Sequence, residues 1–277
     1  MAIVRVAVTA DLHCTRNSQS ALQPLLASIA QSADMLLIAG DLTDVGLPEE
    51  AAVLARELSA IRMPIIAVLG NHDFESGKEV EIDHVLKDAG VVVLDGDARE
   101  VMGVGIAGVK GFGGGFGPRA LAPWGEVLVK QFAREAVEEA LKLEKALARL
   151  RTDQTIALLH YSPVQQTVDG EPLEIYPFLG SSRLEEPLNR YPVSFVVHGH
   201  AHRGRTEGAT SSGIPVYNVS MPLLLRTFSD RLPFRVFELA VLDRPDRDQS
   251  SSDAPVPPTP VSRPDTASGV DSGRARS

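Results

Sequence analysis

Val4-Arg-Val-Ala-Val-Thr-Ala-Asp11-Leu-His13 is a short β-branched run that ends in two metal-capable side chains. The arrangement recurs in Met35-Leu-Leu-Ile-Ala-Gly-Asp41-Leu-Thr-Asp44 and in Ile65-Ile-Ala-Val-Leu-Gly-Asn71-His72-Asp73. With Val91 to Leu94 these give four apolar runs separated by helix-like stretches, which predicts βα units whose strands are buried on both faces. Polar residues at strand ends lie where open α/β sheets place their ligands.

Working outward, Gly103 to Gly117 holds eight glycines in fifteen residues and includes Gly103-Val-Gly105-Ile-Ala-Gly108. That spacing matches a dinucleotide-binding fingerprint only formally, because further glycines follow where a phosphate-binding helix should begin. A loop or bent strand near the substrate is the expectation. Gly125 to Leu150 reads as one amphipathic helix, with Val129, Phe132, Ala136, Ala140, Leu143, Leu147 and Leu150 at spacings of three or four. Further strands are expected at Ile156 to Leu159, Val193 to Val197 and Val216 to Val219, with Val236 to Leu239 closing a sheet.

The division is therefore a domain over 1–244 and a tail over 245–277. Thirteen of the tail's 33 residues are Pro or Ser, and it has no Leu, Ile, Met or aromatic residue. Such a composition cannot bury enough surface to fold, so disorder is expected there.

Composition narrows the partners. A formal net charge of −9 argues against tracking a long nucleic acid, which needs clustered Lys and Arg. The start MAIVRVAV lacks the pattern of a signal peptide, and apolar runs fall far short of the roughly 20 residues a membrane-spanning helix needs. One cysteine, Cys14, leaves no intrachain disulfide and no multi-thiolate zinc site. A cytoplasmic protein acting on a small anionic molecule is expected; its oligomeric state is open.

Chemistry concentrates in five clusters: Asp11-Leu-His13, Gly40-Asp41-Leu-Thr-Asp44, Gly70-Asn71-His72-Asp73, His160 and Gly199-His200-Ala-His202. Six of the seven histidines lie in or beside them, and only His84 stands apart. Strand alternation would point Asp11 with His13, and His200 with His202, into one cavity. Asp41 and Asn71 each follow a glycine, where the chain can turn sharply. Asp11, His13, Asp41, Asn71, His160, His200 and His202 make seven candidate ligands, more than a single catalytic zinc requires. Their oxygen and nitrogen donors suit Mn, Fe or Zn. Two divalent ions roughly 3.5–4 Å apart would hold a water or hydroxide between them, with Asp41 able to bridge. His72 is the candidate general acid, since imidazole, with an ordinary pKa of about 6.5, can protonate a leaving alkoxide at neutral pH.

The order Asp-x-His, Gly-Asp-x-x-Asp, Gly-Asn-His-Asp, His, Gly-His-x-His, spanning Asp11 to His202, resembles the calcineurin-like metallophosphoesterase superfamily. The resemblance implies a four-layer α/β/β/α sandwich of two mixed β-sheets flanked by helices. It implies one metal held by Asp11, His13, Asp41 and His202, and a second by Asp41, Asn71, His160 and His200. His72 would then protonate the leaving group. Val45 stands where the Ser/Thr protein phosphatases carry Arg, and Asp44 where purple acid phosphatases carry Tyr. What remains is similar to the bacterial phosphodiesterase branch.

Asp44 and Asp73 read as orienters of His72 or of ligands, and His198 as a buried structural or orienting residue. Lys110 and Arg203 are candidates for a substrate phosphate oxygen. The loops Gly111 to Trp124 and Tyr161 to Tyr176 are expected to shape the pocket. The expected activity is hydrolysis of a small phosphomonoester or phosphodiester; a non-catalytic metal-binding scaffold and a DNA-repair-type nuclease are the alternatives.

Overall fold

Strand by strand, apolar residues on alternate positions face two different cores. A computed structural model describes residues 1–242, so the expected tail over 245–277 lies outside the described residues. β1 (Ala2–Thr9), β2 (Met35–Ala39), β3 (Ile65–Val68) and β4 (Val91–Val93) run parallel, and β11 (Arg235–Val241) joins β1 antiparallel. In β2, Leu36 and Ile38 pack outward against α1 (Gln23–Ser32), α2 (Pro48–Leu58) and α3 (Glu79–Asp88), while Met35, Leu37 and Ala39 pack inward.

The inward partner is a second mixed sheet, ordered β5-β6-β7-β8-β10-β9. Its strands are β5 (Asp97–Val101), β6 (Val104–Val109), β7 (Gln154–Leu159), β8 (Phe195–His198), β9 (Glu207–Ala209) and β10 (Pro215–Asn218). Ile106, Ile156, Leu158 and Val197 meet the first sheet, whereas Ala107, Ala157, Leu159 and Val196 pack against Leu143, Ala146 and Leu147 of α4 (Val127–Leu147). The result is two mixed sheets flanked by helices, in four layers, as the motifs implied. Among the described residues no helix is long and apolar enough to cross a membrane.

The glycine-dense segment takes both of the forms expected of it. Val104–Val109 is a fully buried strand of the second sheet, and residues 110–114 follow without regular structure. At Gly108 a Cβ would come within 2.6 Å of Leu94 and 3.0 Å of Val68, so glycine is what lets the two sheets approach there. Val236 to Leu239 does close a sheet, but it is the first one, beside β1.

Parallel connectivity brings the C-terminal ends of β1, β2 and β3 to one end of the sandwich. The imidazole of His160, just after β7, donates from Nδ1 to the Ala39 carbonyl at the end of β2 (2.9 Å), so the second sheet delivers its residues to the same end.

Candidate active site

Every candidate ligand lies just beyond a strand, where the backbone must turn. Strand alternation is therefore not what aims them. Asp11 (φ 58°), His13 (43°), Asp41 (48°) and His200 (70°) all adopt left-handed backbone, a conformation that Asp and His tolerate better than most residues. Such residues cost on the order of 1–3 kcal/mol each and persist only where surroundings over-determine them. Here the β1–β2 pairing continues past the strands: Asp11 N–H donates to Gly40 O (3.0 Å), His13 N–H to Asp41 O (3.1 Å) and Cys14 N–H to Leu42 O (3.1 Å). Glu50, buried in the first turn of α2, accepts from Val45 N (3.0 Å) and Leu47 N (3.4 Å) and anchors the far side of that loop.

Asp73 fastens the next loop. It is fully buried and accepts four hydrogen bonds: Thr43 N (2.8 Å) and Thr43 Oγ1 (2.6 Å) on Oδ1, Gly70 N (2.8 Å) and Leu42 N (3.2 Å) on Oδ2. The segment carrying Asp41 is thereby stitched to the one carrying Asn71. Burial lifts the carboxyl above its ordinary pKa, with the Gly70 and Thr43 donors pulling the other way. A Cβ at Gly70 would lie 2.1 Å from Asp41 Oδ1, so glycine is required where the two segments touch.

Asp41 faces two groups of donors. Its Oδ1 lies 3.3 Å from His160 Nε2 and accepts from His72 N–H (2.9 Å), while Oδ2 lies 3.9 Å from His13 Nε2. Asp11, His13, Asp41 and His202 can converge on one ion, and Asp41, His160 and His200 on another, with Asp41 common to both. Asn71 joins the second group, its Oδ1 2.9 Å from His160 Nε2. Asp11 also spans the chain: both its oxygens accept from His200 N–H (3.0 Å each), and Oδ1 lies 3.3 Å from His202 Nε2.

The hydrogen-bond pattern of the histidines fits metal ligation. Both ring nitrogens of His13 are buried and lack a hydrogen-bond partner among the described residues, which is costly unless a cation occupies one of them. His160 donates from Nδ1 to Ala39 O, leaving Nε2 to the centre; His200 uses Nε2 on the Phe178 carbonyl (3.0 Å), leaving Nδ1. Burial opposes a charge on His160, yet Asp41 pushes its pKa up to about 9. At His200 burial prevails and the pKa falls to about 4. Burial also works against the Asp11 charge, but His202 and His160 hold the carboxyl below its ordinary value.

Residues 4–204 match a family described as calcineurin-like phosphoesterase. The chain belongs to this family. Among solved structures it is similar to a phosphopantetheinyl hydrolase from Mycobacterium tuberculosis, at 18% identity and TM-score 0.62, covering 87% of this chain and 96% of that one. It is also similar to the Thermus thermophilus protein TT1561, at 15% identity and TM-score 0.52, covering 80% and 92%. At these identities the likeness shows the fold. No curated protein sequence matches this one closely enough to count as a relative.

In this calcineurin-like phosphoesterase, His72 stands beside His13, ring centroids 4.5 Å apart and edge to face. Its Nδ1 donates to the Asp44 carbonyl (2.5 Å) and lies 3.7 Å from Glu75, so Nε2 is the nitrogen left to exchange a proton with a substrate. The Asp44 carboxylate turns instead toward His13 Nδ1 (3.6 Å). His198 is fully buried, donates from Nδ1 to Gly199 O (2.8 Å) and accepts from Thr167 Oγ1 (2.8 Å), which positions the turn before His200. Cys14 is buried, with its thiol pKa pushed up to about 11 by burial, so it stays an inert thiol.

The two residues expected to contact a substrate phosphate lie in different surroundings. Lys110 is half-buried over the rings of Phe112 (5.0 Å), Phe74 (5.3 Å) and Tyr161 (5.4 Å), its ammonium on Gly111 O (2.9 Å). Arg203 is exposed, and its backbone N–H binds Glu171 (2.6 Å). The motifs do not flag several neighbours. Tyr161 packs on His200 with centroids 4.5 Å apart, Arg226 donates to the His202 carbonyl (3.0 Å), and Asn218 donates to the Ala201 carbonyl (2.8 Å). Of these only Asn218, a polar residue ending an apolar strand, carried the signal that marked the ligands.

Proposed function

We propose that this protein hydrolyses a phosphoester of a small molecule, using two divalent ions held by Asp11, His13, Asp41 and His202 on one side and by Asp41, Asn71, His160 and His200 on the other. The observation that carries this reading is the sharing of Asp41, whose two oxygens face separate histidine groups. Bound there, the ions would supply an activated water and positive charge for the phosphoryl oxygens.

The chain's own residues do the rest. Asp11 and Asp41 offset part of the ionic charge, so that the centre stays electropositive in an acidic protein. Ala39 and Phe178 carbonyls fix which nitrogen each of His160 and His200 presents. His72, held through Nδ1 by Asp44, turns Nε2 outward, and its imidazolium form can give the Nε2 proton to the departing alkoxide.

The test is hydrolysis of bis-4-nitrophenyl phosphate and 4-nitrophenyl phosphate by manganese-loaded protein. Asp41→Ala and His200→Ala should lose both metal and turnover. Protein that contains no metal and hydrolyses neither ester with Mn²⁺, Fe²⁺, Co²⁺ or Zn²⁺ would contradict the proposal.

A further inference from the structure

Along the first turns of α4 runs a groove of about 230 Å³ lined by Leu121, Leu128, Val129, Phe132 and Phe178, without a single charged side chain. Its walls leave large apolar surface in water: Leu128 is 78% and Phe178 57% exposed. Isolated exposed apolar residues are unremarkable, but a lined concavity next to a polar centre is the usual form of a ligand site.

One wall of the groove reaches the candidate ligands. Phe178 lines it with its ring while its carbonyl accepts from His200 Nε2 (3.0 Å). A chain of aromatic contacts runs back to the same histidine: Phe178 on Phe132 (5.9 Å), Phe132 on Phe112 (4.8 Å), Phe112 on Tyr161 (5.9 Å) and Tyr161 on His200 (4.5 Å). The groove is also built before any ligand arrives. Gly114 N–H donates to Pro177 O (2.6 Å) and Leu121 N–H to Gly114 O (2.8 Å), tying the loop before α4 to the segment carrying Phe178.

We infer that the substrate is amphipathic, its phosphate held at the metal centre and an apolar chain laid in this groove against Leu128, Phe132 and Phe178. The inference rests on the phosphoesterase reading above. A charged or sugar-like group would lose its hydration in the groove and find no hydrogen-bond partner on these five side chains.

Alkylphosphonates, whose P–C bond resists hydrolysis, separate binding from turnover. Titrated calorimetrically into the manganese-loaded protein from ethyl to octyl, they should bind more tightly by up to roughly fourfold per buried methylene until the groove is filled. Leu128→Asp, at an exposed position where folding should survive, should flatten that dependence. Leu141→Asp, exposed on the same helix but outside the groove, should keep it. Equal affinity for ethyl and octyl, or an unchanged slope in Leu128→Asp, would overturn the inference while leaving the phosphoesterase reading intact. A wild-type dimer that Leu128→Asp converts to monomer would also overturn it, by giving the groove to a second copy. Absence of binding by every phosphonate, together with no hydrolysis of either nitrophenyl ester, would instead remove the phosphoesterase reading itself.

Discussion

Replacing Asp73 by Asn keeps shape and volume but sets an NH₂ against buried N–H donors that the carboxylate now accepts. If the amide oxygen takes the place of Oδ1, Thr43 keeps its two bonds, and the new NH₂ faces the Leu42 and Gly70 N–H groups that Oδ2 now accepts. The flipped amide strands the Thr43 N–H instead, while the Thr43 hydroxyl can turn to accept from the new NH₂. At least one buried donor goes unpaired either way, at about 1–3 kcal/mol. For a domain of this size that lowers Tm by on the order of 5 °C. Because the same bonds join the Asp41 segment to the Asn71 segment, metal affinity should fall by about 10- to 100-fold, as when residues supporting metal ligands are removed. Calorimetric melting of metal-free protein and metal titration well below Tm measure the two effects separately. Leu143→Ala, a cavity in the fully buried face of α4, is the control: it should cost about 2–5 kcal/mol of stability without touching metal affinity. An Asp73→Asn protein within about 2 °C of wild type, or one destabilised but with unaltered metal affinity, would refute the clamp.

Three further outcomes follow from the same geometry. His72→Asn should retain both metals but lose roughly 10²- to 10⁴-fold in kcat for alkyl esters and far less for 4-nitrophenyl esters, whose leaving group needs no proton; equal losses for both would remove His72 as proton donor. Gly70→Ala should displace Asp41 and abolish metal binding, since its Cβ would meet the carboxylate at 2.1 Å; a fully loaded variant would show that the two segments can part. Metal binding must expel the His160 proton, so apparent affinity should rise about tenfold per pH unit up to about pH 9. The metal-free protein should behave oppositely. Its His160–Asp41 pairing is stabilising below the ordinary histidine value of about 6.5 and is lost as pH rises through about 9. Affinity and metal-free Tm that both stay flat between pH 6 and 9 would contradict this.

The strands of the first sheet were readable because burial on both faces writes them as unbroken apolar runs, as in Met35 to Ala39. Val104–Val109 was readable only as a loop or bent strand, because the close approach of the sheets demands glycine, which mimics a loop in sequence. β9, three residues long, carries too short a pattern to read. At the site the motifs named the side chains that the structure brings together, but strand alternation was the wrong reason: left-handed backbone beyond the strands aims Asp11, His13 and His200. Contacts made by backbone carbonyls, such as Phe178 on His200, leave no signature in residue type, and the apolar groove assembles from segments far apart in the chain.

Metal counting across single substitutions at the shared carboxylate tests the central claim most directly. Elemental analysis of protein loaded with Mn²⁺ and dialysed should find two ions per wild-type chain. His13→Ala and His160→Ala should each keep one, and Asp41→Ala should keep none. One ion per wild-type chain, or an Asp41→Ala protein that still holds as much metal as His13→Ala, would contradict a paired centre built around Asp41.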